Sequence, residues 1–171
     1  MPASKGSKAR KKGKLSEGTL VEIRSHEDGF RGAWFAATIL EAVGKNKYLV
    51  KYKSLRTEVD KEFVKEEADV QDVRPYPPAA IVVDGFDLNE RVDTWYNDGW
   101  WEGVISKVLK QGRYKVYYKE TDEDMVFEHS DLRPHQDWIN GTWVVASDQV
   151  YAMQLNLFVD VVEIFCFAIA N

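Results

Sequence analysis

Apolar and polar residues alternate along most of this chain with a period of two. Lys47-Tyr48-Leu49-Val50-Lys51-Tyr52 is the cleanest case, because successive side chains of a strand point to opposite faces and only one face here is fit for burial. Upstream, Leu20-Val21-Glu22-Ile23 opens a strand, His26-Glu27-Asp28-Gly29 reads as a turn, and Ala33 to Leu40 reads as the returning strand. Phe63-Val64 and Asp72-Val73 close the unit. Pro75-Tyr76-Pro77-Pro78 then predicts a stiff connector, since proline has no N–H to give to a ladder.

The same order of signals then runs a second time. Tyr48, Val50 and Tyr52 recur as Tyr114, Val116 and Tyr118, Phe35 and Ile39 recur as Trp101 and Ile105, and Asp72-Val73-Arg74-Pro75 recurs as Asp131-Leu132-Arg133-Pro134. The spacing makes the opening and late loops longer in the first copy. Two β units are therefore predicted, at 17–78 and 79–146, with Gly141-Thr142-Trp143-Val144-Val145-Ala146 as the closing strand of the second. Each is large enough for a small barrel with little core to spare, so the fold class expected is all-β, two tandem barrels packed against each other.

Charge changes the picture at the N-terminus. Residues 1–16 carry Lys5, Lys8, Arg10, Lys11, Lys12 and Lys14 without an acid, so the formal net charge of -5 conceals a strongly acidic body. A basic, apolar-poor segment of this kind is expected to be a disordered tail, serving nuclear import, nucleic-acid contact, or only solvation. The acidic body favours a basic partner over a phosphate backbone. Residues 147–171 are almost wholly apolar, yet their uninterrupted runs are too short to span a bilayer. An exposed tail so rich in β-formers would invite aggregation, and packing on the barrels, an amphipathic helix, and a terminus unlike that of longer relatives all fit it equally.

Catalytic chemistry finds little material. Cys166 is the single cysteine, and His26, His129 and His135 make no metal-ligand spacing with it. No phosphate loop or nucleophile elbow occurs, and the adjacency of His129, Ser130 and Asp131 is not a triad geometry. Neither an enzyme nor a cofactor or metal is expected.

Binding chemistry finds more. Around the Asn97-Asp98-Gly99 turn stand Trp95, Tyr96, Trp100 and Trp101, and a turn that absorbs all the intervening residues would set Trp95 and Trp101 face to face across the hairpin. A methylated ammonium keeps its charge, loses hydrogen-bond donors and gains apolar surface, so it prefers ring faces beside a carboxylate. In the second unit Trp95, Trp101 and Tyr118 are the candidate rings, with Glu120 or Asp122 as the carboxylate. In the first unit Phe35 and Tyr52 occupy the matching places, but Arg24 aligns with Trp95 and Ser54 with Glu120. There the longer opening loop brings Phe30 or Trp34 over the site, with Glu27 and Asp28 as the anionic wall. Trp34 and Trp100 serve equally well as rings that join the two units.

Four runs together resemble a tandem agenet module, of the plant-enriched branch of the Tudor-like group: Glu27 to Phe35, Val73 to Pro78, Trp95 to Ile105, and Asp131 to Trp138. The resemblance covers roughly Gly18 to Ala146. It implies strongly bent, five-stranded SH3-like barrels that read methylated lysine on histone H3 tails in the nucleus, and a link to heterochromatin and gene silencing. The alternatives from other classes are an RNA or DNA binder using the basic tail and exposed rings, and an adaptor for non-histone peptides.

Overall fold

The computed structural model of the protein describes residues 15–78 and 83–145. The first unit comprises β1 (Leu20–Arg24), β2 (Trp34–Val43), β3 (Lys47–Arg56), β4 (Phe63–Asp69), a single 3-10 turn (Val70–Asp72) and β5 (Val73–Pro75). The second repeats it as β6 (Arg91–Tyr96), β7 (Gly99–Val108), β8 (Arg113–Tyr118), β9 (Glu123–Glu128), a 3-10 turn (His129–Asp131) and β10 (Leu132–Pro134). The basic segment 1–14 and the apolar segment from 146 onward lie outside the described residues.

Alternation translates directly into burial. Phe35, Ala37 and Ile39 of β2 and Tyr48, Val50 and Tyr52 of β3 form one core with Val21 and Ile23. Val92, Ile105, Tyr114, Val116, Phe127 and Leu132 form the other with Phe86. The long strands β2 and β7 each carry a register irregularity at the same place in the repeat, after Ile39 and after Ile105. An extra residue there bends the strand, so one strand serves both sides of its core. The fold is all-β, two tandem SH3-like units packed together. Neither sheet closes completely: β4 pairs only with β3, and β9 only with β8.

Two local expectations need correction. Pro75 is not part of a free connector but the last residue of β5, paired with Val21 at a sheet edge where a missing N–H does no harm; the Tyr76 N–H carries on to the Leu20 carbonyl at 3.1 Å. Residues 141–145 do not close the second unit. They contribute β12 (Thr142–Val145), which pairs with β11 (Gln136–Ile139) as a separate two-stranded hairpin, its Trp138 and Trp143 side by side with centroids 5.3 Å apart.

The two units meet along a seam that the repeat itself explains. Trp34 of β2 pairs with Trp100 of β7, joining the units into one ten-stranded sheet. Each tryptophan lies under an arginine of its own unit, Arg74 at 3.7 Å from the Trp34 ring and Arg133 at 4.2 Å from the Trp100 ring. Each arginine in turn binds the acid of the matching first strand, Arg74 to Glu22 at 2.6 Å and Arg133 to Asp93 at 2.9 Å. Arg133 also reaches across to Glu22 at 2.9 Å, so one carboxylate ties both halves. All four charged groups are buried, which only mutual pairing makes tolerable. Gly99 completes the fit, because a Cβ there would sit 3.0 Å from the ring of Phe35. Trp34 and Trp100 are thus the joining rings, and Trp34 does not cover the first unit's site.

The seam also predicts a pH response. Burial disfavours a charged imidazole at His135, but its hydrogen bond to Asp93 and that carboxylate's charge outweigh burial and hold the ring above its ordinary 6.5. Burial likewise opposes ionisation of Asp93, and His135 with the arginines overrides it, leaving Asp93 below 3.8. The histidine's contribution to stability is complete below pH 6.5 and disappears as pH rises through its folded value; that of Asp93 is complete above 3.8 and disappears as pH falls through its own. Urea midpoints measured from neutral to alkaline pH should therefore decline for the parent protein and decline less for His135→Gln. A parent curve no steeper than the variant's would contradict this pairing.

Candidate binding cleft

An incompletely closed sheet leaves a gap, and in the first unit that gap is a cleft of ≈ 580 Å³. One wall is the end of β1 with the loop after it, from Ile23 to Glu27; the other is the second half of β4, from Glu66 to Asp69. Between them lie three rings. Phe35 stands edge-on to Tyr52, with centroids 6.4 Å apart and planes at 88°, and Phe30 stands edge-on to Phe35 at 6.0 Å and 63°. Phe35 and Tyr52 are nearly buried, at 3% and 6% exposure, whereas Phe30 on the long opening loop keeps 37% and forms the lip.

The carboxylate of the cleft is Glu66. It shares a register position with the core residue Val50, so β4 sets it on the cleft side, where it stays exposed at the rim and accepts the hydrogen bond of the Tyr52 hydroxyl. Burial first, and then Glu66 and Glu27, push the Tyr52 phenol well above its ordinary value, so the ring stays neutral and keeps its donor on Glu66. Glu27 lines the mouth as expected. Asp28 does not; it is fully exposed and pairs with Arg31 at 3.1 Å. Arg24 and His26 also stand at the mouth, His26 held to Asp72 at 2.8 Å. The arrangement offers ring faces and edges, a hydrogen-bonded carboxylate and further acids at the rim, which suits a large, weakly hydrated cation.

In the second unit the predicted set does not converge. Asn97 and Asp98, both at positive φ, form a two-residue turn, and Gly99 is already the first residue of β7. A two-residue turn shifts the pairing by one relative to a turn that uses Gly99, so Trp95 pairs with Trp100 and Thr94 with Trp101. Trp95 and Trp101 therefore occupy opposite faces, and Trp95 packs edge-on to Trp100 at 5.1 Å. Trp101 leans instead onto the first unit's core and lies 6.3 Å from Phe30. Its indole N–H bonds the Tyr96 carbonyl at 2.7 Å.

The acids follow the same logic of faces. Asp122 accepts from Tyr117 at 2.9 Å, on the face opposite to Tyr118, while Glu120 is exposed in the turn after β8. The acid that shares a register position with Tyr118 is Glu123. Tyr118 hydrogen-bonds Thr94, and burial pushes its phenol up to about 12. The residue matching Glu66 is Met125, paired with Val116. The second unit has thus exchanged a cleft-side carboxylate for a thioether and an apolar Ile23 for Thr94. Sequence reasoning missed Glu66; a carboxylate standing between Val64 and Ala68 on the core side of one strand was its legible sign.

These two joined, open-sided units define a tandem Tudor-like module. The chain belongs to the Agenet domain family, whose model matches residues 18–78 and 89–137. It is 44% identical over 139 residues to Protein AGENET DOMAIN (AGD)-CONTAINING P1 of Arabidopsis thaliana, covering 81% of this chain and 27% of that protein. DUF724 domain-containing protein 3 of the same plant is 34% identical over 136 residues, with 77% and 20% covered. The chain therefore spans about a quarter or less of these relatives. Among solved structures, Arabidopsis thaliana AGDP1 AGD34 superposes with a TM-score of 0.70 at 42% identity, covering 76% of this chain and 88% of that one. The ADCP1 tandem Agenet domain 3-4 gives 0.68 at 39% identity, covering 76% and 86%.

Proposed function

We propose that this protein is a nuclear, non-enzymatic chromatin reader that binds methylated lysine of a histone H3 tail, and that the site is the cleft of the first unit. The observation that carries the reading is the convergence of Phe30, Phe35 and Tyr52 with the Glu66 carboxylate in one opening of ≈ 580 Å³. The second unit supports this assignment by contrast, since it places Met125 where the first has Glu66 and turns Trp95 away. The rim acids Glu27, Glu67, Asp69 and Asp72 suit the basic residues that flank lysine in such tails. A link to gene silencing follows from the same reading.

Calorimetric titration with methylated and unmodified H3 peptides provides the test. Methylated peptide is expected to bind at micromolar strength, about -8 kcal/mol, with the unmodified peptide weaker by roughly tenfold. Equal affinity for both ends the proposal. If duplex or single-stranded nucleic acid binds instead, with affinity falling steeply in salt, the contact belongs to the basic N-terminal segment and not to this cleft.

A further inference from the structure

β4 has one partner strand where it has room for two. Phe63–Asp69 pairs with β3 alone, and among the described residues no backbone–backbone hydrogen bond leaves its other edge. That edge faces the cleft. Successive side chains of a strand point to opposite faces, so a wall made of one face shows every second residue. Here Glu66, Glu67, Ala68 and Asp69 all line the opening, which identifies the wall as the strand's edge. The opposite wall is β1 where its own pairing to β5 has stopped, Ile23 being the last residue matched there. The 3-10 turn at Val70–Asp72 carries the chain from β4 to β5, the strand that pairs with β1, and leaves the gap between the walls unfilled.

We infer that the methylated lysine enters as part of an extended basic segment that adds to the free edge of β4 as a further strand. This rests on the reading of the cleft given above and specifies how its ligand lies. An unpaired edge presents N–H and C=O groups from alternate residues, and an added strand satisfies them while setting every second side chain toward the core side. With Glu66 and the rings on that side, the lysine takes an inward position. Glu67 and Asp69 belong to the other side and meet the outward basic residues of the segment. Proline, a common guard of natural edges, is absent from β4, and the pairing irregularity with β3 lies beside its first residues, Phe63 and Val64, so the regularly paired stretch from Lys65 to Asp69 is the part open to an added strand. A strand of seven residues spans about 23 Å, enough for a segment running well to both sides of its lysine.

The test is a set of lysine-methylated H3 peptides of nine residues, each with one backbone amide N-methylated, titrated against the full chain beside the parent and its unmethylated-lysine form. Strand addition predicts a period of two: N-methylation at alternate residues weakens binding about tenfold, and the intervening positions stay within about twofold. Amide hydrogen exchange of β4 slows on binding, and that of β9 does not. A flat or uniformly weakened series, or protection confined to β9, overturns strand addition while preference for the methylated parent keeps the reader assignment intact. Loss of that preference removes both.

Discussion

Replacing Glu22 by glutamine is expected to lower the unfolding free energy by about 3–5 kcal/mol, read as a shift in urea midpoint at unchanged slope. Glu22 is fully buried and is the carboxylate that binds Arg74 at 2.6 Å and Arg133 at 2.9 Å. Without its charge two guanidinium groups stay buried with only Asp93 to balance them, and each keeps a desolvation cost that its attraction to Glu22 no longer offsets. The control is Glu67→Gln, which breaks an exposed pair with Lys47 at 3.2 Å and should cost below about 1 kcal/mol. Equal small effects for the two variants would mean that the seam is hydrated and its charges individually unimportant.

The second large effect concerns ligand affinity. Phe30→Ala removes the ring at the lip of the cleft, and Glu66→Gln removes the carboxylate while preserving its shape. Each is expected to weaken methylated-peptide binding by about 1–2 kcal/mol, roughly five- to thirtyfold, with the melting temperature nearly unchanged. Phe30 is 37% exposed and Glu66 sits at the rim, so neither supports the core as Phe35 and Tyr52 do. Trp95→Ala serves as the contrast and should leave affinity intact, because that ring lies on the other face of its sheet from Trp101. Loss of binding in Trp95→Ala, with Phe30→Ala silent, would move the site to the second unit.

What was legible in the chain was whatever depends on period and repetition. The alternation through Tyr48, Val50 and Tyr52 and its return at Tyr114, Val116 and Tyr118 specify strands, faces and a duplicated unit, and the core follows from them. What was not legible depended on a single-residue choice. Whether Gly99 belongs to the turn or to the strand decides which of two adjacent tryptophans faces Thr94, and composition favours neither. The same holds for Asp122 and Glu123, adjacent acids on opposite faces. Glu66 was overlooked for a different reason: among Lys65, Glu66 and Glu67 it reads as one more surface charge until pairing with Val50 puts it on the cleft side, against the Tyr52 hydroxyl. Trp34 and Trp100 had two compatible uses, and only the geometry of the seam separates them.

The seam has a further consequence. Because Glu22 of one half is a counter-ion for Arg133 of the other, and the two indoles meet strand to strand, a solitary half would expose to water what the pair conceals. Growth of such a protein by gene duplication is therefore expected to add modules two at a time, with odd numbers disfavoured by the orphaned surface that each would carry.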